Sequence, residues 1–300
     1  MAEESHLSII AQQGVEEGHA VLAEAVGAYT QALRERLVAA YALGSLAHGG
    51  FSPLVSDVDL GLILADPLHP TDSETVAAVA RDLKAKGSAL HKQLSVFWGT
   101  PSSLEGRVPG GRFPPLDRLD LLEHGCLLWG EEVRNSLVTP DRDELLLAGA
   151  LFALEYLGGV GPPHEHSGQE LGSLHHGDDA IEEIRCPELL LARGIRRVTK
   201  LVLFPVRFLF TAETGRVATN DTAVAHYLAA GDPPGAALVG AALTWRTAPP
   251  ENEEAILSLL ETGMVPLYLH YIDDHRARLA ALGRDDLSEA FGQWGRRLLQ

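Results

Sequence analysis

Two aspartates, Asp57 and Asp59, stand two residues apart at the head of an otherwise apolar run, Asp57-Val-Asp-Leu-Gly-Leu-Ile-Leu64. In a strand, alternate side chains share a face, so both carboxylates point the same way. Two carboxylates on one face can hold Mg2+, a hard ion that takes oxygen ligands and commonly bridges to substrate phosphates. Upstream, Gly44-Ser45 ends a short apolar segment and opens the Gly-rich stretch AHGGFSP. A strand that ends in Gly-Ser and turns into a short helix exposes backbone N–H groups and a hydroxyl, and the helix dipole favours anions, so it can hold nucleotide phosphates. Gly44 leaves room for close approach of a phosphate. The bland alternative is a glycine turning a loop beside two solvated aspartates. Charged pairs on an apolar strand are costly without a role, which weighs against it.

The elements that would position these groups follow from periodicity and punctuation. Apolar residues at helical spacing between Glu16 and Val38 predict an amphipathic helix leading into a strand over Ala39–Leu43. Asp57 to Leu64 is the second strand. Thr71-Asp-Ser-Glu74 reads as a capping box for a helix stopped at Gly87, and Gln93–Trp98 reads as a third strand. Residues 99–115 carry four Gly and four Pro and read as a loop of a length often used for lids. A helix (LDRLDLLEHG) and a last short strand (CLLWG) follow, and Thr139-Pro140 is placed to cap the next helix. Residues 188–213, 219–230, 236–247 and 252–282 all show helical spacing, with no further strand pattern. The expected fold class is α+β: a small mixed sheet with flanking helices over 1–135, then an all-helical domain over 136–300.

The pattern Gly-Ser, eleven residues, then Asp-x-Asp, with Gly-Phe-x-Pro and Ser56-Asp57 between, resembles the signature of the DNA polymerase β nucleotidyltransferase superfamily. VTKLVLFPVRFLFTAETGRVATNDTAVAHYL (198–228) is similar to the helical domain of its aminoglycoside adenylyltransferase branch. The resemblance implies an enzyme that transfers AMP from ATP, with Mg2+, to a hydroxyl of a small molecule, with aminoglycosides as the suggested acceptor class. It makes Asp57 and Asp59 the metal ligands and catalytic groups, and Gly44, Ser45 and Ser56 the nucleotide contacts. By the same resemblance the helical domain closes over the nucleotide and holds the acceptor. Lys200, and after it Arg196, Arg197 or Arg207, would reach the triphosphate, although a basic run on a helix is usually a solvated face.

One position departs from that family. Its third carboxylate would align with Ser95 in Leu94-Ser95-Val96, and no Asp or Glu stands between Lys86 and Trp98. Glu155 in LFALEYL is a substitute base if it faces the acceptor and a solvated glutamate if it lies on the outer face; helix phase leaves both open. Two functions therefore stand side by side: an active nucleotidyltransferase, and a catalytically weakened nucleotide-binding sensor or interaction protein.

Composition narrows the partners. The 300 residues carry 24 basic and 41 acidic side chains, net −17, a surface that repels a phosphate backbone, so nucleic acid is not expected. With Cys126 and Cys186 isolated, no disulfide framework or zinc spacing is present. MAEESHLSII lacks the basic and apolar regions of a signal peptide, and no run reaches the roughly 18 apolar residues of a membrane span, so a cytoplasmic protein is expected. His164-Glu165-His166, His175-His176 and Asp178-Asp179 could bind zinc or nickel, but their Gly-rich polar setting reads as an exposed loop. Trp98, Trp129, Trp245 and Trp294 read as core or interface residues, Trp98 being nearest the site.

Overall fold

The computed structural model describes residues 2–159 and 177–300, and the chain divides into two compact units, Met1–Pro140 and Asp141–Gln300. The first contains α1 (Ala2–Leu33), β1 (Leu37–Leu43), α2 (Gly44–His48), β2 (Val58–Leu64), α3 (Asp72–Ala85), α4 (Ala89–Lys92), β3 (Leu94–Gly99), α5 (Pro101–Leu104), α6 (Pro115–His124) and β4 (Cys126–Gly130). The second contains α7 (Arg142–Tyr156), α8 (Gly177–Arg185), α9 (Pro187–Ala192), α10 (Ile195–Thr214), α11 (Asn220–Ala229), α12 (Ala236–Trp245), α13 (Glu253–Ala281) and α14 (Asp285–Leu298). The fold class is α+β, and among the described residues no strand follows Gly130.

The four strands lie in the order β3-β2-β1-β4. β1 pairs antiparallel with β2 and β4, while β2 and β3 are parallel, so α3 and α4 must carry the chain back to the end of the sheet where β2 began. Both faces are covered. Val58, Leu60, Leu62, Val96 and Trp98 pack with Leu22, Tyr29 and Leu33 of α1 and Val76 and Leu83 of α3. Tyr41, Leu43, Ile63 and Phe97 on the other face pack with Leu104 of α5 and Leu121 of α6. A sheet buried on both sides favours nearly continuous apolar strands. Asp59 and Ser95 break that rule at the starts of β2 and β3, on the face that Phe97 shares.

Four local expectations need correction. Thr71 makes no side-chain cap to α3, because its backbone is already helical (φ −85°, ψ −10°) and a capping residue needs an extended one. The end of the helix is held instead by Asp72, which accepts from His69 N–H at 2.8 Å and pairs with Arg36 at 2.6 Å. Asp141, not Thr139, caps α7, accepting from Glu144 N–H at 2.8 Å. The helical run from 188 to 213 is two helices, broken at Gly194, whose φ of +90° no helix accommodates. The loop over 99–115 also holds α5, started by a Thr100–Ser103 capping box.

In the second unit α13 is long and apolar enough to cross a membrane by length and composition alone. Its apolar residues, Leu260, Met264, Leu267, Tyr268 and Tyr271 among them, are buried inside the unit. Buried there too is Glu183 of α8, fully enclosed and paired with Arg193 Nε at 3.0 Å and Arg197 Nε at 2.7 Å. Removing one side of such a pair leaves uncompensated buried charge, which typically costs about 3–5 kcal/mol. We expect Glu183→Ala to lower the unfolding free energy by about 3 kcal/mol; denaturant unfolding with a loss below about 1 kcal/mol, the level of an exposed ion pair, would contradict this.

Candidate nucleotide and metal site

Strand register builds the site. Leu43, the last residue of β1, is paired with Asp59 of β2, and Asp59 is paired with Ser95 of β3. At this end of the sheet the chain leaves β1 through Gly44, whose φ of +60° lies in the left-handed region that residues with a Cβ disfavour. A Cβ on Gly44 would run into the Asp59 carboxylate, so the glycine is required both for its backbone angle and for the carboxylate beside it. Ser45, half-buried, is the second residue of the short helix that follows.

Asp57 falls one residue before β2, not inside it as the sequence suggested. Half-exposed Asp57 and Asp59 nevertheless alternate with buried Val58 and Leu60, the pattern expected if the two carboxylates share a side. The approach to Asp57 is a closed turn. Ser56 N–H donates to Ser52 O at 2.8 Å, and the buried Ser56 hydroxyl accepts from Ser52 N–H at 3.0 Å. Val58 N–H then donates to Gln93 O at 3.1 Å, fastening the aspartates beside the start of β3. Ser56 therefore sets the loop that presents Asp57.

Sequence reasoning missed Asp120. It lies on α6, and its Oδ2 accepts the Gly44 N–H at 2.6 Å while its Oδ1 is buried without a hydrogen-bond partner. Both Asp59 and Asp120 meet at Gly44, so covalent geometry keeps their nearest oxygens within about 8 Å of each other. The first N–H of α2 is thus already occupied by a carboxylate. Ser45 supplies the next N–H of the helix and a hydroxyl.

Two cations near the aspartates also went unnamed in the sequence. Arg112, in the segment after α5, bridges its backbone to Trp98 and donates from Nη1 to Val96 O at 2.6 Å. Its guanidinium lies 4.9 Å over the Phe97 ring. Lys84 is half-buried near the end of α3; burial and then the charge of Arg112 lower its pKa, and the charge of Asp57 opposes them.

The donor set suits Mg2+. Asp57 and Asp59 offer hard carboxylate oxygens and are half-exposed, and among the described residues no group of three His, Cys, Asp or Glu side chains is arranged to enclose a metal. Two carboxylates leave coordination positions for substrate phosphates, as in a site that binds metal together with nucleotide. Ser95, paired with Asp59, adds a neutral hydroxyl to the same face.

The remaining sequence-derived candidates belong to the second unit. Glu155 on α7 and Lys200 on α10 are half-buried. Arg197 is committed to Glu183, and Arg207 Nε donates to Ala218 O at 3.0 Å. Trp98, Trp245 and Trp294 are core residues, whereas Trp129 is 37% exposed on β4. His164, Glu165, His166, His175 and His176 lie outside the described residues.

No protein-family model matches the sequence, and no curated protein does. Among solved structures the chain is similar to a spectinomycin adenyltransferase from Enterococcus faecialis, crystallised with ATP and spectinomycin, at 15% identity and a TM-score of 0.47, over 81% of this chain and 98% of that one.

Proposed function

We propose that this chain is a Mg2+-dependent nucleotidyltransferase that moves AMP from ATP to a hydroxyl of a small molecule. The observation that carries the reading is the meeting of Gly44 and Asp59, which sets the Gly-Ser turn after β1 directly against a carboxylate of β2. Asp57 and Asp59 hold the metal, which supplies charge neutralisation at the α-phosphate. Ser45 and the backbone of α2 take the β and γ phosphates, and Ser56 keeps Asp57 in place. The acceptor oxygen bonds to the α-phosphorus, the α–β bridging oxygen leaves with its electron pair as pyrophosphate, and the hydroxyl proton passes to solvent or to a carboxylate. Glu155 and Lys200 are the second unit's candidates for base and triphosphate contact.

Titration calorimetry with Mg-ATP, run beside a pyrophosphate-release assay over a panel of hydroxyl acceptors, tests the reading. Absence of Mg2+-dependent ATP binding overturns it. Binding without turnover across the panel favours the second reading, a nucleotide-binding sensor or interaction protein, to which the Asp59–Ser95 pairing lends support because no carboxylate stands at that place.

Ser95 gives a direct prediction. Neighbouring strands lie about 4.8 Å apart, so a carboxylate at 95 would share the face of Asp59 within reach of the same ion. Ser95→Asp should tighten Mg2+ binding by about tenfold, as expected for an added anionic oxygen ligand. Calorimetric Mg2+ titrations that coincide for variant and wild type would place residue 95 off the metal.

A further inference from the structure

We infer that Asp120 of α6 is a positioning residue of the nucleotide site: it holds the Gly44-Ser45 turn, and with it the place where Gly44 meets Asp59, in the arrangement that binds Mg-ATP. This rests on the transferase reading and adds a residue that acts through the turn and not on the substrate. Gly44 is the joint of that turn. A Cβ there would run into the Asp59 carboxylate, so no side chain can lock the joint, and a glycine at φ +60° is free to leave that angle for others. Something other than its own sterics must hold it.

The turn supplies little of that hold itself. The first N–H groups of a helix have no intrahelical partner, and Leu43, which precedes α2, offers no side-chain cap. With only five residues, α2 is too short to be stable by its own hydrogen bonds. The Gly44 N–H instead donates to Asp120 Oδ2 at 2.6 Å, across 76 residues of sequence. Hydrogen bonds to a carboxylate are roughly twice as strong as those between neutral groups, and the short distance fits that class.

α6 is fixed well enough to act as the anchor. Its Leu121 is buried with Tyr41 and Leu43 of β1, Leu119 is buried beside it in sequence, and Arg118 donates to the Leu104 carbonyl. These contacts dock the helix without Asp120, whose carboxylate is left to hold the turn. Its other oxygen, Oδ1, is buried with no hydrogen-bond partner. An acceptor enclosed in this way is costly, and such an atom calls for a functional explanation. Enclosure also restricts the carboxylate's rotation, which keeps Oδ2 on Gly44. A turn ordered beforehand binds more tightly than one that the ligand has to order, so losing the tie should appear as lost affinity.

Titration calorimetry of the full chain with Mg-ATP reads that affinity, and the Gly44 amide proton, followed by 1H–15N NMR, reads the bond itself. Asp120→Ala should move this proton upfield and weaken Mg-ATP binding at least about tenfold, the effect of losing a hydrogen bond to a charged group. Gly44 is half-buried, so water can take the freed N–H and the fold should survive. Asp120→Asn keeps an oxygen acceptor in place and should stay within about threefold of wild type, as a neutral acceptor of roughly half the strength implies. Should Asp120→Ala fail to fold, which circular dichroism would register, Asp120→Ser carries the same expectation, its oxygen being one bond short of Gly44. Wild-type affinity in the alanine variant overturns the inference. Tighter binding does too, because the carboxylate would then compete with the phosphates, and so does an asparagine loss as large as the alanine loss, which would make charge and not the bond the contribution. If neither Asp120→Ala nor Asp120→Ser folded, Asp120 would serve the fold and not the site. Failure of the transferase reading looks different: wild type itself would show no Mg2+-dependent ATP binding, while the Gly44 amide would still shift in Asp120→Ala.

Discussion

Asp59→Asn should weaken Mg2+-dependent ATP binding by about 100-fold or more, since losing even the partner of a metal ligand commonly costs 10–100-fold and Asp59 is proposed as a ligand itself. The change is nearly isosteric. It removes the charge that attracts the ion while leaving a side chain of the same size beside Gly44, so the sheet end should keep its shape. Asp57→Asn should behave alike. Because both positions are half-exposed and outside the packed interior, thermal unfolding of either variant should remain within about 0.5 kcal/mol of wild type, the usual range for surface substitutions. Calorimetry with and without Mg2+ reads the first effect, and a thermal melt reads the second. If Asp59→Asn bound Mg-ATP as wild type does, Asp59 would hold no metal. If the protein unfolded instead, the aspartate would be a structural residue and the proposed site would lose its centre.

Much of this geometry could be read from the sequence because it is local. A period of two across Val58, Asp59 and Leu60 places alternate residues on opposite faces whatever the strand pairs with. Ser95 could be aligned for the same reason: its apolar neighbours Leu94 and Val96 must face the core under α1 and α3, which sends Ser95 to the other side. The strained turn at Gly44 follows from Gly-Ser placed after an apolar strand. What stayed hidden depends on docking between distant segments. Asp120 is one acid among Asp117, Asp120 and Glu123 on α6, and only the packing of that helix against β1 brings its carboxylate to Gly44, 76 residues away. Arg112 looked like part of a Gly- and Pro-rich loop, and pairing with Trp98 at the sheet edge makes it a fixed cation. Lys84 went unnamed because nothing in the spacing of α3 relates it to Asp57, whose charge acts on it in the folded chain. Helix ends also failed where the deciding quantity is a backbone angle: Thr71 has capping chemistry but helical dihedrals, so no side chain caps α3, and Asp72 instead ties the helix start to the preceding loop at His69.

Gly44→Ala should damage both stability and nucleotide binding, and Gly49→Ala should separate the two effects. At φ +60° an alanine costs about 1–2 kcal/mol in backbone strain alone. At Gly44 the new methyl would also displace the Asp59 carboxylate, so the total loss should reach about 2–4 kcal/mol, in the range seen when strain and a forced shift combine. The carboxylate that moves is the proposed metal ligand, and a ligand moved by an ångström no longer meets Mg2+, which demands near-ideal octahedral geometry. Mg-ATP affinity should fall at least about tenfold, the lower end for a disturbed metal site. Gly49, at the other end of α2, has φ +91° with nothing within 4 Å of an added Cβ. Gly49→Ala therefore carries backbone strain of similar or larger size without touching Asp59, and it should lose stability while keeping its affinity for Mg-ATP in the folded fraction. Should Gly49→Ala lose as much affinity as Gly44→Ala, strain in the loop and not contact with Asp59 would govern binding. A Gly44→Ala protein that binds Mg-ATP normally would show that the contact between Gly44 and the Asp59 carboxylate does not matter for binding, and would remove the observation on which the transferase reading stands.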